Sequence, residues 1–151
     1  MTTQLIAQGE VKIRPMESKD SGAIFDMDRI LAGGSMTIAL INLITEDIKE
    51  SLGLSFIAEV NSQVVGFVFA RHAYIGTPAN EVCLIQGLSV HPLRQGQDIE
   101  ARLVNELTDR AKSLGMKNIR VILSVSDPRM EAFFTRLNFH RAPVIVCDKI
   151  L

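Results

Sequence analysis

The sequence is short of the groups that several kinds of chemistry need. It has two cysteines, Cys83 and Cys147, and neither stands in a CxxC or Cys/His ligand spacing. That excludes a disulfide framework and a zinc motif. Both lie in strand-like apolar runs and read as buried free thiols. There is one tyrosine, Tyr74, so a step that needs a phenol has one candidate. No apolar run approaches the roughly 20 residues of a membrane helix, so no membrane association is expected. The opening MTTQLIAQGE has neither a basic start nor a long apolar stretch. No signal peptide is expected there, and a cytoplasmic location follows as the expectation. Net charge is -1, with Lys and Arg scattered. No basic stripe runs from one element to the next, which argues against nucleic acid as a partner. No Ser/His/Asp or Cys/His arrangement for nucleophilic catalysis stands out. The pairs Asp26/Asp28 and Glu46/Asp47 read as solvated helix faces, not as a metal site or a catalytic dyad.

What is present is a core. Apolar residues make up 47% of 151 residues, which suits one folded domain. Residues 1–9 read as a loose tail and 10–151 as the folded unit. Val11 to Met16 reads as a short strand. Ser18 is a candidate cap for a first helix, with Ala23, Ile24, Met27, Ile30 and Leu31 on one face. Gly33-Gly34 breaks it, and Ser35 caps a second helix striped with Met36, Leu40, Leu43, Ile44 and Ile48. Leu54 to Val60 and Val64 to Tyr74 form a hairpin about Asn61-Ser62.

A third strand follows and stops at Pro92. A helix then carries Ile99, Leu103, Leu107, Ala111 and Leu114 at helical spacing, with Gly115 as its C-cap. Asn118 to Val125 is dense in β-branched residues and reads as a strand. In the last helix Asp127 fits the N-cap and Pro128 the first position. Met130, Phe133, Phe134 and Leu137 form its inner face. Asn138 suits a left-handed cap over which Phe139 packs back. Val144-Ile145-Val146-Cys147 closes the chain as a final strand. The order is β-α-α-β-β-β-α-β-α-β, an α/β sandwich on a mixed sheet.

The chain is organised around Leu84 to Leu107. A strand, a tight turn at Arg94-Gln95-Gly96-Gln97 and a helix start make a device for holding an anion. This stretch resembles the acyl-CoA-binding core of the GNAT-type N-acetyltransferases. In that family a strand ending in V-x-P leads into R/Q-x-x-G-x-G/A and an apolar helix. Here Val90-His91-Pro92 precedes Gln95-Gly96-Gln97-Asp98-Ile99-Glu100. Gln95 matches the first position, and Gly96 and Gln97 suit the common R-G-Q-G form. Asp98 and Glu100 stand where the family has glycine. A second match runs from Asp127-Pro128 to Leu137-Asn138-Phe139, with Asp127 for Asn, Phe134 for Tyr and Asn138 for Gly. The resemblance covers roughly residues 10 to 150.

The resemblance implies transfer of an acetyl group from acetyl-CoA to an amine, with no metal and with the acceptor unnamed. It implies that Leu88, Ser89 and Val90 meet the pantetheine and the thioester through their backbone. It places the pyrophosphate at Gln95, Gly96, Gln97, Asp98, Ile99 and Glu100, with Asp127 nearby. Gly87 suits a bulge beside that stretch, or a packing gap under neighbouring helices. Asp98 and Glu100 either crowd the phosphates with charge or cap the helix start themselves; both hold if they swing outward. Arg94 and Arg102 flank the loop.

The catalytic acid and base are not assigned. Phe134 occupies the usual tyrosine position and cannot donate a proton, and Tyr74 belongs to another strand. Glu81 lies near the start of the central strand, too far from Leu88 to act directly. His72 faces either cleft or solvent. His91 and His140 read as surface residues. The acceptor is expected near Ala32-Gly33-Gly34-Ser35. Two alternatives stand beside this reading, the first resting on the three departures at Asp98, Glu100 and Phe134 and the second on the apolar final strand. One is a GNAT-shaped protein without catalysis that binds a ligand or a protein. The other is an unrelated α/β domain whose apolar final strand pairs across a homodimer.

Overall fold

The computed structural model describes residues 9–32, 52–94 and 96–151. The elements are β1 (Lys12–Pro15), α1 (Ser21–Ala32), β2 (Phe56–Val60), β3 (Gln63–Ile75), β4 (Asn80–Val90), α2 (Ile99–Ser113), β5 (Ile119–Val121) and α3 (Pro128–Arg136). One five-stranded sheet runs in the order β1-β2-β3-β4-β5. Its first four strands are antiparallel neighbours, and β5 joins β4 in parallel. The second helix expected from Ser35 lies outside the described residues.

Alternation along the strands sorts side chains onto two faces. Phe56, Ala58, Val60, Val68, Ala70, Cys83, Ile85 and Val90 meet Ile99, Leu103, Val104, Leu107 and Ala111 of α2 and Phe134 of α3 in the main core. Ile57, Phe67 and Phe69 meet Ile24 and Met27 of α1 on the other face. Burying a side chain of this size stabilises by roughly 1.5–3 kcal/mol, so the α2 stripe is a principal source of order. The Asn61-Ser62 turn forms as the sequence indicates. Both residues have positive φ, 48° and 67°, the geometry that matches the twist of a two-residue hairpin.

Capping signals translate where they are local. Asp127 accepts a hydrogen bond from the Met130 N–H at 3.3 Å. Asn138 has φ 69°, the Phe139 N–H bonds to the Phe134 carbonyl at 3.0 Å, and the two rings meet edge to face at 5.0 Å. Gly115 has φ 77°, and the Met116 N–H reaches back to the Ala111 carbonyl.

Three expectations are corrected. Ser18 does not cap α1; it opens a 3₁₀ turn, Ser18–Asp20, in which the Glu17 N–H bonds to the Asp20 carboxylate at 2.7 Å. The final strand at Val144–Cys147 does not form: residues 141–151 are all exposed and belong to no helix or strand. Cys147 is therefore exposed, while Cys83 is buried and its thiol is pushed up to about 12 by desolvation. A β-branched run specifies a strand only when a neighbouring edge receives it. No helix among the described residues is long and apolar enough to cross a membrane.

One ion-pair network was not legible in the sequence. Arg14 of β1 donates to both oxygens of Asp20, at 2.8 and 2.9 Å, and through Nε to Glu59 of β2 at 2.9 Å. The Asp20 side chain is nearly inaccessible. Burial opposes its ionisation, yet the bonds from Arg14 and the Glu17 N–H prevail and hold the carboxyl below its usual value. A carboxyl lowered in the fold contributes stability that is complete above the ordinary carboxylate range and lost as pH falls through the lowered value. Replacing Asp20 by Ala should cost about 3–5 kcal/mol at neutral pH, because Arg14 is left partly buried and unpaired on one side. Urea unfolding at pH 7 and pH 3 checks this: the gap between wild type and variant should shrink in acid, and an equal gap at both would refute the linkage.

Candidate functional site

The site is built by strand β4 losing one of its neighbours. From Cys83 to Ile85, β4 is bonded on both sides. It pairs with β3 on one edge, and with β5 through Cys83↔Ile119, Leu84↔Arg120 and Ile85↔Val121 on the other. Beyond Ile85 no β5 pairing continues among the described residues. At the same point the β3 register slips: Ala70 faces Ile85 and Phe69 faces Gly87, so Gln86 is the extra residue of a bulge. Gly87 is where a bulge is easiest to accommodate. It also serves packing, since a Cβ there would stand 3.2 Å from the Phe67 ring. Both readings of Gly87 hold together.

The bulge resets which way the backbone points. The His91 N–H bonds to the Val65 carbonyl at 2.7 Å, and Ser89 and Gly87 are in step with it opposite Phe67 and Phe69. In an antiparallel pair the residues between them turn their N–H and C=O groups away. Leu88 and Val90 therefore turn their backbone to the edge of β4 that β5 leaves uncovered, a wedge between the two strands in the sense of lost pairing. Gly66 lets this end close tightly, because a Cβ there would meet the Ser89 carbonyl at 3.1 Å and Ile99 at 3.5 Å.

The start of α2 adjoins that strand end. Ile99 is buried in the same apolar cluster as Val90 and Leu88. The first helix bond runs from the Arg102 N–H to the Asp98 carbonyl at 3.0 Å, so the N–H groups of Ile99, Glu100 and Ala101 precede any intrahelical acceptor. Asp98 is the N-cap residue, yet its side chain makes no capping hydrogen bond, and it is exposed. The expectation that Asp98 caps its own helix is corrected. Its φ of 59° and ψ of 17° are left-handed, a conformation that glycine adopts freely and that aspartate tolerates better than most residues. Gly96, φ 83°, has open space where a side chain would stand. Gln95 lies outside the described residues. Gln97 accepts from Arg94 Nη1 at 3.2 Å, and Arg94 itself is only 9% exposed. Arg102 is turned elsewhere, donating to the Val11 carbonyl at 3.2 Å. Glu100 is half-buried in the first turn.

His91 is also corrected: it is 8% exposed, not a surface residue. Desolvation lowers its pKa. Its Nδ1 accepts from the Leu93 N–H at 3.2 Å, which puts the proton of the neutral ring on Nε2. The ring thereby holds the turn that leads from β4 toward α2. His72, Tyr74 and Glu81 come together, with His72 Nε2 3.1 Å and Tyr74 Oη 3.3 Å from Glu81 Oε2. They sit at the other end of β4. Seven residues of strand separate Glu81 from Leu88, about 23 Å at ~3.3 Å per residue. This cluster does not reach the wedge. Phe134 is 2% exposed and stacks edge to face with both Phe133 and Phe139 at 5.0 Å. Its position belongs to the apolar core beside the wedge. Among the described residues no group of three or more His, Cys, Asp or Glu stands together in a way that could hold a metal ion. The Ala32-Gly33-Gly34-Ser35 joint falls outside the described residues except for the backbone of Ala32.

A strand that parts from its parallel neighbour beside an open helix start is the geometry to compare. The model of the acetyltransferase (GNAT) family matches residues 33–139, well over half of the chain. The chain belongs to the GNAT acetyltransferase family. Solved structures agree at the level of fold. An aminoglycoside 6'-N-acetyltransferase AAC(6')-Ih from Acinetobacter baumannii superposes with a TM-score of 0.76 at 18% identity, covering 94% of this chain and 99% of that one. AAC(6')-Iy, solved with the bisubstrate analog CoA-S-monomethyl-acetylneamine, gives 0.75 at 19% identity over 95% and 100%. A glucosamine-6-phosphate N-acetyltransferase from Arabidopsis thaliana gives 0.69 at 16% identity over 93% and 99%. A search of curated proteins found no match.

For a GNAT chain the departure at Asp98 now has a conformational meaning. The backbone shape that calls for glycine is kept, and aspartate is held in it without a compensating cap bond. Asp98→Gly should therefore stabilise the fold, by up to about 1 kcal/mol, while Asp98→Val should destabilise it by about as much. Equilibrium urea unfolding decides between them. A loss on Asp98→Gly would show that the carboxylate contributes a bond to the helix start after all.

Proposed function

We propose that this chain is an N-acetyltransferase that takes acetyl-CoA and an amine. The observation that carries the reading is the wedge between β4 and β5 at Leu88–Val90, set against the uncapped first turn of α2. The donor sets fit the co-substrate. Leu88 presents backbone groups that would hold the amide-bearing arm and the thioester carbonyl, with Ser89 and Val90 beside it. The N–H groups of Ile99, Glu100 and Ala101, with Gly96 and Gln97 before them, would hold the pyrophosphate, where the helix dipole favours negative charge. The buried Arg94 adds positive charge to the same turn. Asp127 is already engaged in capping α3, so its part is to fix that helix. Acetyl-CoA supplies the activated acyl group. The protein supplies binding, orientation and polarisation of the carbonyl.

The acidic pair sets the affinity. A carboxylate about 6 Å from one phosphate charge costs roughly 3 kcal/mol at an effective dielectric of 20, and about 0.7 kcal/mol in bulk water. Asp98 is exposed, so the lower part of that range applies to it. No phenol takes the place that Phe134 fills, so the leaving thiolate is protonated by solvent. That is tolerable for a fairly good leaving group.

Phe134 and the acidic pair also favour a second reading, a GNAT-fold binding module without transfer. One experiment separates the two. Acetyl-CoA is titrated calorimetrically into the wild type and into an Asp98→Gly/Glu100→Gln variant. Free thiol release is then followed with an amine panel that starts from amino sugars, the acceptors named for the structural neighbours. The variant should bind about tenfold more tightly than the wild type, and at least one amine should release thiol. Binding without release for every amine supports the module. Failure of both proteins to bind at millimolar acetyl-CoA overturns the co-substrate itself.

A further inference from the structure

The chain passes from the end of β4 to the cap of α2 through a turn that one buried side chain ties together. The ties begin at His91. Its N–H bonds to the Val65 carbonyl of β3 at 2.7 Å, and its carbonyl accepts from the Arg94 N–H at 2.8 Å. That second bond closes the 3₁₀ turn Pro92–Arg94. Pro92 has no N–H to give, so Leu93 supplies the first donor of the turn. It finds the His91 ring, whose Nδ1 accepts at 3.2 Å. A bond from the N–H of residue i+2 back to the side chain of residue i is the pattern that Asn and Asp side chains usually make.

Burial in this turn runs against polarity. His91 is 8% exposed and Arg94 9%, while Leu93 between them is 48% exposed. Polar groups held inside need bonded partners. His91 has one through Nδ1. Arg94 reaches forward through Nη1 to Gln97 Oε1 at 3.2 Å, next to the N-cap residue Asp98. Desolvation lowers the pKa of His91, which keeps the ring in its neutral, accepting form at neutral pH. A path of hydrogen bonds thus runs from β3 through His91 and Arg94 to the residue before the helix cap.

We propose that His91 is a positioning residue for the acyl donor, its Nδ1 fixing the turn that sets Gly96, Gln97 and the open first turn of α2 relative to Leu88 of β4. The inference rests on the reading of this region as an acetyl-CoA site. In that reading the pantetheine arm lies along β4 and the pyrophosphate on the start of α2. One ligand is held at both places only when the two elements keep a fixed spacing. A ring that lets go of Leu93 leaves each half of the site intact and loses their register.

Two amide substitutions separate the ring's acceptor from its bulk. In His91→Asn the side-chain oxygen stands where Nδ1 stands, and in His91→Gln the amide reaches the place of Nε2. Calorimetric titration with acetyl-CoA should find His91→Asn within about threefold of the wild type and His91→Gln about tenfold weaker. A purely structural role would lower the urea midpoints of both variants and leave the affinity of the folded protein unmoved. A His91→Gln protein that binds as the wild type does overturns the proposal, and so does a His91→Asn protein as weak as His91→Gln. Nitrogen NMR of the wild type at neutral pH adds a check that needs no variant: Nδ1 of His91 should be the unprotonated nitrogen, and a proton there overturns the proposal. A wild type that does not bind millimolar acetyl-CoA overturns the reading of the site and this inference with it. The two failures are told apart, because that one shows in the wild type's titration and the others do not.

Discussion

The backbone of β4 is the constraint on which this structure depends. A strand in the middle of a sheet must place hydrogen bonds on both edges. β4 does so from Cys83 to Ile85, and from Gln86 onward it keeps β3 and gives up β5. The extra residue at Gln86 turns Leu88 and Val90 toward the gap. The apolar groups around it, from Val90 to Phe134, keep that end of the sheet closed to collapse. At Leu88 the backbone turns to the edge of β4 that β5 does not cover.

Two kinds of helix start stand on either side of that gap. α3 is closed by its own Asp127, which bonds to the Met130 N–H. α2 is not closed by Asp98. The two aspartates have the same chemistry and the same place at an N-cap, and differ in backbone conformation. Asp127 has a negative φ of -122° and reaches back to its helix, whereas Asp98 is left-handed at 59°. The sheet is held at its other side by Arg14, which joins β1, β2 and the turn into α1 through Asp20 and Glu59. Its charge is matched within the fold, so it belongs to the architecture and not to the site.

The candidate site was legible where its signals are short in range. Val90-His91-Pro92, the turn containing Gly96, the apolar stripe of α2 and the Asp127-Pro128 start are all read within a few residues. The hairpin at Asn61-Ser62 and the caps at Gly115 and Asn138 are of the same kind. The burial of His91 was not legible, because a histidine before proline carries no mark of what packs over it. The gathering of His72, Tyr74 and Glu81 depends on the β3↔β4 register, which places Tyr74 opposite Glu81 and moves the three well away from Leu88.

By itself the sequence determined the membership of the strands and helices that carry a local pattern, and the α/β order they follow. Hydrophobic period, turn chemistry and capping each act over a single turn or a single pair of strands, so the residues alone specify them. Only the tertiary structure decided where β4 parts from β5, that Asp98 is held left-handed without capping, that Arg14 finds Asp20 and Glu59, and that Val144–Cys147 stands apart from the sheet. The β4–β5 parting, the Arg14–Glu59 bond and the fate of Val144–Cys147 turn on partners distant in sequence, and a β-branched run or a charged side chain has no conformation of its own until that partner is in place.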